Sequence, residues 1–296
     1  MELISFDGCE LSNRCYGGRN GGKLGITYQG HCYMLKFRST HTSDGKTIIE
    51  DDPVCEHLGS EIYRLLRIPA QETLLGTWHG KLAVACRDFR QTEHEFLDLQ
   101  DFQKIQTTYL PMGREPFFGS YEVDDILDIL DHQSLAQRHP EAKARFWDML
   151  IIDALLWNSR RFLEDWGFLV AFDGNVKLAP VYGNGGCLNV GSDEAAQQMR
   201  LNNLSDWSLD ARCPYHSKRG NNPFSILAWS EDAVCQKEIR RIYHTCKGKE
   251  DALLELISRC DLLSPFQRTL LPISIVYRID ALRCICDCMN AEEELA

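Results

Sequence analysis

The chain has 296 residues, 44% of them hydrophobic and 25% charged, the composition of a globular protein with a sizeable core. That excludes disordered, collagen-like and coiled-coil chains, and the length is more than one core usually serves, so two lobes are expected. Lys and Arg number 32 against 43 Asp and Glu, a formal charge of −11, which argues against direct nucleic-acid contact because attraction to phosphate backbones needs clustered cations.

The first residues, Met1-Glu2-Leu3-Ile4-Ser5-Phe6-Asp7, carry neither a basic start nor a long apolar run, so no secretory signal is expected. The most apolar stretch, residues 146–157, is interrupted by Asp148 and Asp153 and is too short to cross a bilayer. A cytoplasmic protein without membrane contact is the expectation, and its 13 cysteines read as reduced, mostly buried thiols. Cys284-x-Cys286-x-Cys288 has no second Cys/His pair at zinc-like spacing and falls in a helical pattern, so it reads as packing.

Residues 23–28 and 32–37 read as two strands around Gln29-Gly30-His31. The preceding run, Tyr16-Gly17-Gly18-Arg19-Asn20-Gly21-Gly22-Lys23, is either a flexible turn or a loop whose bare amides can approach phosphate oxygens. Lys36 shares a strand face with Cys32 and Met34 inside an apolar run. It is either an edge-strand lysine reaching water or a lysine that binds phosphate under the glycine loop. Asp52-Pro53 opens a helix with Val54, Leu58, Ile62 and Leu65 at helical spacing. Glu56, in its first turns, either complements the helix dipole or pairs with Lys36. A second hairpin spans residues 72–76 and 81–86 across Trp78-His79-Gly80. Glycine loop, lysine strand, glutamate helix and hairpin follow one another as in a protein-kinase small lobe.

Beyond a breaker-rich connector at residues 111–116, the patterning is mostly helical: 122–132, 140–157, 233–246, 250–260 and 265–290. Residues 166–172 and 176–179 read as a short hairpin around Asp173-Gly174, and residues 201–223, rich in Asn, Ser and Asp, as a surface excursion.

Taken together the chain resembles the HipA-like serine/threonine kinases of bacterial toxin–antitoxin systems, in their compact, CtkA-related form. The resemblance rests on residues 16–23, Tyr33-Met-Leu-Lys-Phe37, Cys55-Glu56, Glu72-Thr-Leu-Leu-Gly76, Val84-Ala-Cys-Arg-Asp-Phe89, Asp153-Ala154, Asn158, Trp166-Gly-Phe-Leu169 and Leu178-Ala-Pro-Val-Tyr182. It implies an α+β, two-lobed kinase-like fold: a β-rich small lobe over residues 1–89 and a larger helical lobe over residues 90–296. It also implies nucleotide binding by Gly17, Gly18, Gly21, Gly22, Lys23, Lys36, Glu56, Cys86 and Asp88.

The chemistry positions depart from that pattern. Where such kinases resemble G-N-x-D-R-H-x-G-N-W-G, this chain reads Trp157-Asn-Ser-Arg-Arg-Phe-Leu-Glu-Asp-Trp-Gly167, so Arg160 takes the proton acceptor's place and Asp165 that of the metal-holding Asn. Where they resemble L-A-P-x-Y-D-N-G, Gly183 replaces the metal-holding Asp. A guanidinium stays protonated and cannot act as a base, glycine supplies no carboxylate, and Asp165 alone remains to hold metal. Conventional kinase activity is therefore expected to be lost, leaving a pseudokinase that acts as a binding or regulatory module. A protein partner is then implied, either an active kinase paralogue or an antitoxin-like protein. ATP capture stays open, with magnesium weak or absent, and Arg160 could itself contact either a phosphate or a partner's carboxylate. The alternatives are an enzyme of the same fold that uses Asp165, with Glu164, for unorthodox phosphoryl or nucleotidyl transfer, and a structural subunit whose cleft is filled by Trp157 and Phe162.

Overall fold

The computed structural model of the chain describes residues 2–14, 16, 23–43, 46–50, 52–90, 94–98, 121–189, 198–199 and 202–295. Alternating apolar residues in the first third build a six-stranded sheet from β1 (Ile4–Ser5), β2 (Glu10–Leu11), β3 (Leu24–Tyr28), β4 (His31–Phe37) and, after the small β5–β6 hairpin (Ser39–Ser43, Lys46–Glu50) and helix α1 (Asp52–Leu65), β7 (Thr73–Trp78) and β8 (Lys81–Arg87). The order across the sheet is β1-β7-β8-β4-β3-β2. Both hairpins turn more tightly than their sequences suggest. Gln29-Gly30 and His79-Gly80 all have positive φ, so two residues suffice and His31 and Trp78 join the strands.

Strand β4 lies between β3 and β8, so Lys36 is not an edge lysine. One sheet face closes over Phe6, Ile26, Tyr33, Leu35, Ala83 and Ala85. The other carries Leu75, Val84 and Cys86, and Lys36 stands opposite Val84 on that face, towards α1. The apolar stripe of α1, Val54, Leu58 and Ile62, belongs to the same core as the helical part of the molecule. The lobes therefore meet through this helix.

The larger part contains β9 (His94–Asp98), β10 (Tyr121–Glu122), α2 (Val123–His132), α3 (Ser134–Gln137), α4 (Glu141–Leu156), β11 (Gly167–Ala171), β12 (Val176–Leu178), α5 (Leu204–Leu209), β13 (Tyr215–His216), α6 (Pro223–Ala228), α7 (Ala233–Gly248), α8 (Glu250–Ser258) and α9 (Pro265–Leu295). Helix α4 is apolar almost all round and buried from Phe146 to Leu156, as a central helix must be. The connector expected at residues 111–116 lies outside the described residues.

The expected surface excursion is corrected: Ala211, Cys213 and Tyr215 are buried in the main core, and β13 pairs with β10. Its polar residues flank a few apolar anchors, and composition averages over both. Of the cysteine run on α9, Cys286 is buried while Cys284 and Cys288 are exposed, and all twelve described cysteines are free thiols. Among the described residues no helix is long and apolar enough to cross a membrane.

Candidate active site

The site is built where α1, the end of α4 and the segment after β12 meet. Lys36 Nζ lies 2.8 Å from Glu56 Oε2, so the pairing reading of Glu56 is the one the structure realises. Burial opposes the Lys36 charge, but Glu56 more than offsets it and the ammonium is held above its usual range. Burial likewise pushes the Glu56 carboxyl up, and Lys36 brings it below its usual value. The second carboxylate oxygen, Oε1, accepts from the backbone N–H groups of Gly183 (3.1 Å) and Asn184 (2.9 Å). Asn184 also donates to Ser60 Oγ at 3.0 Å. One glutamate thus joins the lysine strand to the segment after β12.

Helix α4 ends at Trp157, whose φ of 52° is the left-handed conformation usually given to glycine. The resemblance pattern has glycine there, where this chain carries a tryptophan whose ring centroid lies 5.0 Å from the Arg278 guanidinium. Trp157 and Phe162 both pack against the main core. Beneath the loop, Asp153 receives Arg161 Nε at 2.7 Å, Tyr63 Oη at 2.8 Å and Asn158 Nδ2 at 3.1 Å. Arg161 also donates to the Tyr182 carbonyl and, at 2.6 Å, to Asn184 Oδ1. Arg161, Tyr63 and Asn184 escaped the sequence reading; the available signal was the Asp153, Asn158, Arg161 spacing, which returns a charge to the end of a buried helix.

The three departing positions come together on the turn 183–186. Arg160 Nη2 donates to the Gly185 carbonyl at 2.6 Å, and a Cβ at Gly186 would stand 2.4 Å from Asn158 Oδ1 and 3.0 Å from Arg160 Cβ. Gly183 has φ +75°, and a Cβ there would meet Asp165 Oδ1 at 2.9 Å and Asp165 Cγ at 3.0 Å. The Asp165 carboxylate therefore occupies the space beside residue 183 that a side chain at 183 would enter. Its other oxygen accepts from the Phe162 N–H at 3.0 Å. Burial raises the Asp165 pKa to about 6, against the opposing pull of Arg161.

Lys23 is half-buried beside this group. Burial and then Lys36 lower its pKa, while Asp165 and Glu56 pull the other way. The Cys86 side chain is fully buried, and burial pushes its thiol up to about 12. Asp88 gathers Arg14 Nη1 at 2.6 Å, Tyr16 Oη at 3.0 Å and the Arg90 N–H at 2.9 Å, so its carboxylate braces the chain on either side of the sheet. Gly17, Gly18, Gly21 and Gly22 lie outside the described residues.

Magnesium, which the resemblance implies, can be tested against this donor set. Among the described residues no group of three or more His, Cys, Asp or Glu could hold a metal ion. Glu56 and Asp153 are engaged by cations and amides, which leaves Asp165 as the carboxylate facing the turn. Magnesium commonly takes one or two carboxylates and completes its shell with water and substrate phosphates. The residues fit one such ion shared with phosphate oxygens, not a pair.

No protein-family profile matches the chain. It is 31% identical over 265 residues to the serine/threonine-protein kinase CtkA of Helicobacter pylori, covering 88% of this chain and 77% of that protein. The crystal structure of the H. pylori proinflammatory kinase CtkA superposes with a TM-score of 0.85 at 25% identity, over 97% of this chain and 99% of that one. HipA of Shewanella oneidensis, in a structure with HipB and operator DNA, matches with a TM-score of 0.55 at 11% identity, over 92% and 68%. That complex gives no support to the expected exclusion of nucleic acid, which rested on overall charge alone.

The expected loss of enzymatic activity is overturned by the first comparison, since a relative so similar over most of the chain is a serine/threonine-protein kinase and points to kinase activity. At the turn, Asp165, the acid expected to remain, lies against Gly183, where a Cβ would meet its Oδ1 at 2.9 Å. The chain has the fold that HipA shares and belongs to the family of the serine/threonine-protein kinase CtkA.

Proposed function

We propose that the chain is an ATP-dependent phosphotransferase acting on a protein hydroxyl, with Lys36 as the phosphate-binding cation and Asp165 as the acidic group of the phosphate site. The observation that carries this reading is the Asp165 carboxylate seated against Gly183, on the turn that Glu56 ties to Lys36. Phosphoryl transfer suits such a site. Its transition state is loose, little covalent work falls to the protein, and catalysis is mostly positioning and charge stabilisation. Arg160 cannot take a proton, but a hydroxyl whose proton leaves late needs a strong base least.

Lys36 would meet the phosphates, with Glu56 fixing its ammonium. Asp165 would hold a divalent ion together with phosphate oxygens, and such an ion supplies charge neutralisation between the phosphates. Arg161, through Asn184 and Tyr182, keeps the two loops in register. A protein partner, as HipB is for HipA, belongs to the same proposal.

The test is intact-mass analysis after incubation with ATP and magnesium or manganese, on the chain alone and with a generic protein acceptor. Gain of phosphoryl groups, absent in Asp165→Ala and Lys36→Met, is expected. Adenylyl adducts in their place would shift the reaction to nucleotidyl transfer, and no adduct under any condition would sink the proposal.

A further inference from the structure

Three side-chain cations approach the turn that carries Gly183, and each reaches it by a different route. Lys36 comes from β4 and is fixed at 2.8 Å by Glu56, which itself holds the Gly183 and Asn184 amides. Arg160 comes from the loop after α4, with its guanidinium on the Gly185 carbonyl and its stem against Gly186. Lys23 comes from the start of β3 and lies close enough to Lys36 and Asp165 to feel both charges.

Opposite them stand Glu56, Glu164 and Asp165, while Arg161 and Asp153 neutralise one another below. The charge at this turn also differs from that of the pattern the chain resembles. Arg for Asp at 160 and Gly for Asp at 183, set against Asp for Asn at 165 and Glu for Gly at 164, make the chain one unit more positive.

We infer that these side chains capture the polyphosphate of a nucleoside triphosphate without a metal ion, with Arg160 and Lys23 beside Lys36 in the role of the absent cation. The inference rests on the proposed ATP-dependent function and deepens it. Capture becomes the work of fixed side chains, and any divalent ion serves the transfer step alone. A guanidinium is suited to this because it stays charged and meets phosphate oxygens with paired donors.

The test is calorimetric titration of ATP into the full chain in EDTA and in magnesium. Removal of metal is expected to weaken binding by less than about tenfold, an effect below ~1.4 kcal/mol. A loss of tenfold or more would overturn the inference. In EDTA, Arg160→Gln should weaken ATP by about tenfold or more, Arg160→Lys by less, and inorganic triphosphate should compete where adenosine does not. Unchanged metal-free affinity in Arg160→Gln, with its melting temperature intact, would also overturn it, as would displacement by adenosine but not triphosphate. Transfer is assayed separately with magnesium. Metal-free binding without transfer would defeat the proposed function alone, and transfer with strictly metal-dependent binding would defeat this inference alone.

Discussion

Two ion pairs each share a hydrogen bond with Asn184, and they differ in what surrounds them. Asp153–Arg161 is closed: both side chains are almost wholly buried, at 3% and 1% exposure, and Tyr63, Asn158, Asn184 and the Tyr182 carbonyl take up their remaining capacity. Lys36–Glu56 is open on one side. Glu56 is buried at 3% exposure, but the Lys36 side chain keeps 17%, and the glutamate's second oxygen is spent on backbone amides of another segment. The first pair is a joint of the scaffold and the second is a clamp that presents a cation. Burial alone does not distinguish them; the destination of each remaining donor and acceptor does.

If that difference is real, breaking the closed pair should cost folding before it costs chemistry. Asp153→Ala leaves a guanidinium buried against Tyr63 and Asn184 with no carboxylate, and removal of one partner of a buried pair typically costs about 3–5 kcal/mol. Urea unfolding should show a loss of that size, with much of the protein recovered insoluble. Lys36→Met leaves Glu56 buried but still bonded to the Gly183 and Asn184 amides, so it should cost less than Asp153→Ala while abolishing transfer. Equal destabilisation by the two substitutions would erase the distinction.

A third carboxylate on α4 sharpens the point because its partners do not compensate for its burial. Burial raises the Asp148 pKa to about 6; Arg241 pulls it down and Glu238 pushes it up. Arg241 is itself 37% exposed, so its charge is shared with water. The folded chain therefore binds this proton more tightly than the unfolded chain, whose carboxyl titrates near its ordinary value of ~3.9. The stabilisation is fully present below about pH 4 and is lost as pH rises through about 6, a swing of roughly 3 kcal/mol. Asp148→Asn should flatten that part of the stability curve in urea titrations run across the window. Parallel curves for the two proteins would show that Arg241 compensates the burial of Asp148.

The same contrast explains how much could be read before the structure. Lys36 and Glu56 were legible because each breaks a local pattern: a lysine inside an apolar strand, an acid on a helix that starts with its own cap. The long helices were legible from periodicity, and α4 and α9 lie within a few residues of the expected limits. Asp165 against Gly183 was not legible, because seventeen residues, two strands among them, separate positions that only the folded turn brings into contact. Cys213 and Tyr215 were missed for the opposite reason, since a polar local composition hid single buried anchors.

The smallest stability effect is expected where the clamp depends on a close approach and not on charge. Gly59, in the middle of α1, faces the turn: a Cβ there would lie 2.8 Å from Asn184 Cβ and 3.0 Å from Cys187 Sγ. Neither atom is the far end of a flexible chain, so α1 or the turn must shift. Alanine favours the helix by about 1 kcal/mol over glycine, while overpacking a tight contact costs about 1–3 kcal/mol, so the net loss should be small. The displacement falls on the bonds from the Gly183 and Asn184 amides to Glu56, one turn away on the same helix. Gly59→Ala should therefore melt within a few degrees of the parent yet lose transfer activity by about tenfold or more, since misplacing reacting groups by an ångström can cost about a hundredfold. Thermal unfolding and the transfer assay run on the same sample decide it. Full activity would mean that Lys36 is held well enough by its own strand, and the clamp would reduce to a salt bridge.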